Sequence, residues 1–140
     1  MSNVAIVYWS GTGNTEQMAE AIKTGASDAG ATVSVFTASE FDEGKMDEFD
    51  SVAFGCPAMG NEELEEAEFA PMFDACKSKL KGKKIALFGS YSWADGEWMR
   101  LWEAECKDLG AVLAADPVIC FEAPDDQGVS DCKALGAALV

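Results

Sequence analysis

The sequence predicts an α/β fold, a doubly wound five-stranded parallel sheet in the order 2-1-3-4-5 with helices on both faces. Three observations carry that prediction. Short continuous apolar runs, Val4-Ala5-Ile6-Val7-Tyr8-Trp9 and Ile85-Ala86-Leu87-Phe88, have the pattern of strands buried on both faces. Five strand-like stretches alternate with four helix-period segments, and right-handed crossovers leave few ways to connect them. Finally, this topology requires the loops leaving strands 1, 3 and 4 to meet at one site. Those are the three unusual loops of the chain: Ser10 to Thr15, Cys56 to Glu62 and Tyr91 to Gly96.

The first strand is Val4 to Tyr8. A helix follows from near Glu16, with Met18, Ile22, Ala26 and Ala29 inward and Gly30 closing it. Thr32 to Thr37 alternates Val33 and Val35 with Thr32 and Ser34, which predicts an edge strand. Ala38 to Glu48 has no clear period and reads as a loop with one helical turn. Ser51 to Gly55 is the third strand. The next helix starts near Phe69 and buries Phe69, Phe73, Cys76 and Leu80, with Pro71 tolerated in its first turn. Lys77, Lys79, Lys81, Lys83 and Lys84 crowd its end, where a helix favours cations.

The fourth strand runs from Ile85 to Ser90. The helix after it aligns Trp98, Leu101, Trp102, Cys106 and Leu109 and stops at Gly110. Val112 to Phe121 is the last strand region, where Pro117 demands an edge position or a bulge. Ser130 or Asp131 is expected to cap a final helix with Cys132, Leu135, Gly136 and Leu139 inward. There is no internal repeat or linker, so residues 1–140 are expected to form one domain, and a domain of this size buries roughly 70% of its unfolded surface.

Ten Lys and Arg stand against 25 Asp and Glu, with no His, for a formal charge of −15. Such a field repels nucleic acid and anionic membranes and attracts basic proteins. It also leaves out the commonest general base and metal ligand. Five cysteines at wide spacings, Cys56, Cys76, Cys106, Cys120 and Cys132, match neither a disulfide framework nor a zinc site. The N-terminus has no basic, apolar leader pattern and no run reaches membrane-span length, so a cytoplasmic location is expected.

The first loop, Ser10-Gly11-Thr12-Gly13-Asn14-Thr15, reads either as a phosphate cradle or as a simple helix cap. In the cradle reading, helix N–H groups and short polar side chains converge on an anion while Gly11 and Gly13 admit it closely. The triphosphatase pattern is excluded because no Lys follows, and the dinucleotide pattern because Glu16 stands where a third small residue belongs. A single terminal phosphate held by neutral donors is what remains.

The phrases Val7-Tyr8-Trp9-Ser10-Gly11-Thr12-Gly13-Asn14-Thr15-Glu16, Gly55-Cys56-Pro57-Ala58-Met59-Gly60 and Gly82-Lys83-Lys84 through Leu87-Phe88-Gly89-Ser90-Tyr91 together resemble the flavodoxins of the short-chain type, over essentially the whole length. The resemblance implies a flavodoxin-like fold, one non-covalent FMN and one-electron transfer, mainly on the semiquinone/hydroquinone couple. It assigns Ser10 to Thr15 to the phosphate, with Ser90 and Tyr91 nearby. It sets Met59 and Gly60 against the inner ring face, Trp93 on the outer face, and Glu62 at ring N3. Gly60-Asn61 resembles the turn whose peptide reverses on reduction, which Gly permits at low cost. Trp9, Pro57, Ala58, Ser92 and Gly96 complete the expected cofactor-binding set.

Ser92 and Ala94 stand where the family pattern has glycine, and Asn61 replaces an acid or serine. The three loops contain no Lys, Arg or His, which predicts a low potential for forming the anionic, fully reduced cofactor. The expected partners are basic-surfaced redox proteins, met by a monomer without nucleic acid or membrane. A phospho-acceptor receiver would need acids after strands 1 and 3, where the chain has Tyr8-Trp9 and Gly55-Cys56. A nicotinamide-dependent flavin reductase would need a second-substrate pocket with a basic site, which short acidic loops do not offer. Cys56 has no cationic neighbour in sequence and reads as a structural thiol.

Overall fold

The apolar runs do form the centre of a parallel sheet. The computed structural model describes residues 2–11, 13–59, 64–92 and 96–140. Strand β1 (Asn3–Tyr8) lies between β2 (Thr32–Thr37) and β3 (Ser51–Gly55), β3 pairs with β4 (Lys84–Tyr91), and the far edge is shared by β5 (Val112–Leu113) and β6 (Val118–Phe121). All pairings are parallel, and the order is β2-β1-β3-β4-β5, with β6 also on β4. The helices are α1 (Asn14–Asp28), α2 (Glu43–Met46), α3 (Phe69–Cys76), α4 (Glu97–Asp108) and α5 (Asp126–Ala138).

Strand alternation sorts the core into two layers. Ala5, Val7, Val52, Phe54, Ile85 and Leu87 face α3 and α4, where they meet Phe69, Phe73 and Trp102. Val4, Ile6, Ala53, Ala86 and Phe88 face α1 and α5. On that second face the two helices pack backbone to backbone. A Cβ on Gly136 would stand 2.1 Å from the Ile22 carbonyl oxygen, and one on Gly25 would stand 2.0 Å from that of Lys133. Only glycine fits at either point.

Several expectations are corrected. Ala29 is exposed, because α1 ends at Asp28 and Ala29 has already turned away before Gly30 at φ 101°. Leu101 is 59% exposed, since the buried stripe of α4 runs Trp98, Trp102, Cys106 and leaves Leu101 one step round the helix. The acidic stretch after β2 holds two short turns, a 3-10 turn at Ala38–Glu40 and α2. The last helix begins well before Ser130: Asp125 caps it, its carboxylate accepting from the Gly128 N–H at 2.7 Å. Pro117 sits between β5 and β6 and interrupts the edge strand, as a residue without an N–H must.

The lysines after α3 are mostly engaged at the end of the sheet remote from the three loops. Lys83 donates to the carbonyls of Met46 and Phe49, Lys79 pairs with Asp47 at 3.0 Å, and Lys77 pairs with Asp74 and Glu105. They tie the α2 region and α4 to the core.

Candidate functional site

Three chain crossings open at the carboxyl edge of the sheet. After β1, the Trp9 N–H donates to the Gly55 carbonyl at 3.0 Å and carries the chain one residue past the strand. Ser10 Oγ then accepts from the N–H groups of Gly13 at 3.0 Å and Glu16 at 3.4 Å, folding the loop back on α1. Gly13, at φ 92°, is the N-cap residue and supplies no side-chain acceptor. The first N–H groups of α1, on Asn14 and Thr15, thus lie at a helix end that its N-cap side chain leaves open to an anion.

After β3 the chain continues along β4, with Cys56 N–H donating to the Phe88 carbonyl and Ala58 N–H to that of Ser90, at 3.1 and 3.0 Å. Donors toward β4 alternate, so Pro57 falls where no N–H is called for. The Cys56 carbonyl accepts from the Trp98 indole at 3.2 Å. After β4, the Tyr91 ring packs between Trp98 and Phe121, with centroids 5.9 and 5.6 Å away. The Glu122 N–H donates to the Tyr91 carbonyl at 2.6 Å, and Glu122 itself adopts φ 56°.

Between these crossings lies a cleft of about 350 Å³. Trp9, Gly11 and Asn14 form one wall, Pro57, Ala58 and Met59 a second, and Ser90, Tyr91 and Ser92 a third. Glu122 stands at its edge as the one charged residue among the described residues that line it. The remaining expected residues are placed differently. Thr15 is buried beneath the cleft with its hydroxyl 3.2 Å from that of Ser90. Ser10 faces a neighbouring polar hollow with Tyr8, Glu16 and Glu68, and Gly96 is the N-cap of α4. Thr12, Gly60, Asn61, Glu62 and Trp93 lie outside the described residues.

The residues present fit FMN. Two aromatic rings and a thioether offer flat, polarizable contacts, and the open end of α1 offers neutral donors for a phosphate. No metal-binding group of His, Cys, Asp or Glu occurs among the described residues. Cys56 is fully buried, and burial is the main cause that pushes its thiol up to about 12, which disfavours the nucleophilic thiolate. Tyr8 is also raised to about 12, by burial first and then by its hydrogen bond to Glu16 at 3.0 Å.

Two residues escape sequence reasoning. Glu122 follows a fourth crossing, after β6, which the topology also brings to this edge; the signal was the Glu-Ala-Pro-Asp turn. Glu65 reads in sequence as one of a run of solvated acids, yet it is 7% exposed and accepts three backbone hydrogen bonds. Burial would raise its carboxyl, but the N–H groups of Phe69, Glu68 and Ala67 together hold it below the usual range.

The comparisons agree with this geometry. The family model described as Flavodoxin matches residues 6–135. A flavodoxin of Megasphaera elsdenii is 45% identical over 138 residues, covering 96% of each chain, and one of Clostridium beijerinckii is 44% identical over 131 residues, covering 94% of each. The solution structure of the two-electron reduced Megasphaera elsdenii protein superposes with a TM-score of 0.90, covering 97% of both chains. With its sheet order, its converging crossings and these matches, the chain belongs to the flavodoxin family of FMN-binding electron carriers.

Proposed function

We propose that this chain binds one FMN non-covalently in the cleft and serves as a low-potential, one-electron carrier between redox proteins, working mainly on the more reducing of the cofactor's two couples. The observation that carries the reading is the meeting of three sheet-edge crossings around a cleft whose described lining has no cation. When bound, FMN supplies one-electron chemistry at its ring. The chain's part is to hold, shield and bias it.

Asn14 and Thr15 would receive the phosphate with their N–H groups, and Gly11 and Gly13 leave room for it; Thr12 carries over from the family pattern as a further donor, and Ser10, which faces the neighbouring hollow, would shape the loop through its bonds to Gly13 and Glu16. Trp9, Pro57, Ala58, Met59, Ser90, Tyr91 and Ser92 would bound the ring and its ribityl chain, with Gly96 setting the turn into α4. Gly60, Asn61, Glu62 and Trp93 carry over from the family pattern as the remaining contacts. A net charge of −15 opposes adding the second electron to the cofactor and favours basic-surfaced partners. Phe121, 58% exposed beside Tyr91, gives such a partner an apolar contact at the cleft mouth. No helix among the described residues is long and apolar enough to cross a membrane; the carrier is proposed to act in the cytoplasm as a single-domain monomer.

The test is stepwise anaerobic reduction of the FMN-loaded protein, followed in the visible spectrum. A distinct blue species between the yellow and pale forms is expected. A direct passage from yellow to pale, or rapid turnover with NAD(P)H alone, would overturn the carrier reading.

A further inference from the structure

Cys56, just past the end of β3, and Glu65, just before α3, are bonded to each other. The Glu65 N–H donates to Cys56 Sγ at 3.3 Å. Cys56 is anchored on every side: its N–H goes to β4, its carbonyl accepts from Trp98, and its thiol donates to the Pro57 carbonyl at 3.5 Å. Glu65 is held more heavily still. Its carbonyl accepts from the Ala70 N–H at 2.8 Å, one carboxylate oxygen accepts from Ala67 at 2.8 Å, and the other accepts from Glu68 and Phe69 at 2.7 and 2.8 Å. A carboxylate thus closes the amino end of α3, where backbone donors and the helix dipole both favour it.

This cap reaches two walls of the cleft. Met59, in one wall, follows Cys56 by three residues. From the same turn, Glu68 accepts from the Trp9 indole at 3.4 Å, and the Glu68 N–H is one of the three that Glu65 holds. The Trp9 indole is thereby tied, through Glu68, to one buried acid that is not among the described residues lining the cleft.

We propose that Glu65, clamped to Cys56, is a positioning residue for the cofactor site, setting the segment from Cys56 to Met59 and, through Glu68, the indole of Trp9. The proposal rests on the reading that FMN occupies the cleft. An exposed acid acts on a bound flavin through charge alone, whereas a clamp acts through geometry. Glu66, the exposed neighbour of equal charge, separates the two.

The experiment titrates FMN into apoprotein by fluorescence quenching and records the visible circular dichroism of the bound flavin. Glu65→Gln is expected to weaken FMN binding about tenfold and alter the dichroism, since buried bonds to a charged acceptor are among the stronger ones. Glu66→Gln should change affinity less than about threefold and leave the dichroism as in wild type. Glu65→Asp, which keeps a carboxylate at the turn, should recover most of the loss. Equal affinities and superimposable spectra for Glu65→Gln and Glu66→Gln would overturn the proposal. If Glu65→Gln does not fold, Cys56→Ala decides, read against Cys56→Ser: both keep every charge, Ala removes the acceptor of the Glu65 N–H together with the thiol's own bond to Pro57, and Ser keeps a donor and an acceptor at that place. Weakening of about threefold supports the clamp, and wild-type affinity with a wild-type spectrum overturns it. A wild-type apoprotein that leaves FMN fluorescence unquenched would instead sink the functional reading itself.

Discussion

Thr15 Oγ1 and Ser90 Oγ meet at 3.2 Å beneath the cleft, joining α1 to β4 across 75 positions of sequence. Thr15 is 1% exposed and Ser90, which lines the cleft, 5%, so the Thr15 hydroxyl in particular has no ready access to water. Removing one strands the other, at a cost of about 1–3 kcal/mol. Thr15→Val and Ser90→Ala should each lower the urea unfolding free energy of the apoprotein by about that much. The double variant should lose less than their sum. Strict additivity would show that the two hydroxyls are independent.

The α1–α5 contact predicts an intolerance at Gly136. A Cβ there meets backbone, which cannot rotate aside, so the helices must separate. Gly136→Ala should lower stability by about 1–3 kcal/mol in spite of alanine's better helix propensity. A rise in the thermal midpoint would refute the close approach.

Acid should act through Glu65. Its carboxyl lies below the ordinary value in the folded chain, so its stabilising effect is complete above the unfolded value near 4.5 and is lost as pH falls through the lower folded value. Wild type should therefore be more stable than Glu65→Gln at neutral pH, with the gap closing below about pH 4. Parallel stability curves over that range would count against the cap.

Alkali should act through Tyr8. With a folded value near 12 against 10 unfolded, the phenol favours folding below pH 10, and that contribution is lost as pH rises toward 12. Glu16→Gln should bring phenolate absorbance in at lower pH by removing the neighbouring charge and weakening the acceptor of the Tyr8 hydroxyl. An unchanged titration would mean burial alone sets the value.

Screening offers a handle on the potential. If uncompensated negative charge opposes the fully reduced cofactor, then raising ionic strength from about 0.01 to 0.15 M should raise the second one-electron potential, because the Debye length falls from about 30 to 8 Å. A salt-independent potential would shift the explanation to contacts inside the cleft.

What could be read in the sequence divides along physical lines. Strands such as Val4 to Tyr8 and Ile85 to Ser90 are legible because burial on both faces leaves an unbroken apolar run. The parallel order follows from alternation with helices, and the walls at Gly11, Met59 and Tyr91 follow from the order. Leu101 and Ala29 were misread because helical spacing alone does not fix where a stripe ends. The start of α5 was missed because the stripe of Cys132, Leu135 and Leu139 begins more than a turn and a half inside the helix, past Asp125. Glu65 could not be told from Glu66 or Glu68 by composition. Its distinction lies in backbone amides that only the folded turn brings together.

The break at Pro117 has a practical consequence. Residues 115–117 step out between β5 and β6 at the open margin of the sheet, so added chain at that seam would bulge into solvent and leave the ladder partners of β4 in place. Asp116 is exposed there, and β6 runs from the seam toward Phe121 and Glu122. A wire, dye or accessory module grafted at Asp116 would sit one short strand from the cleft, a natural socket for coupling the chain to an electrode.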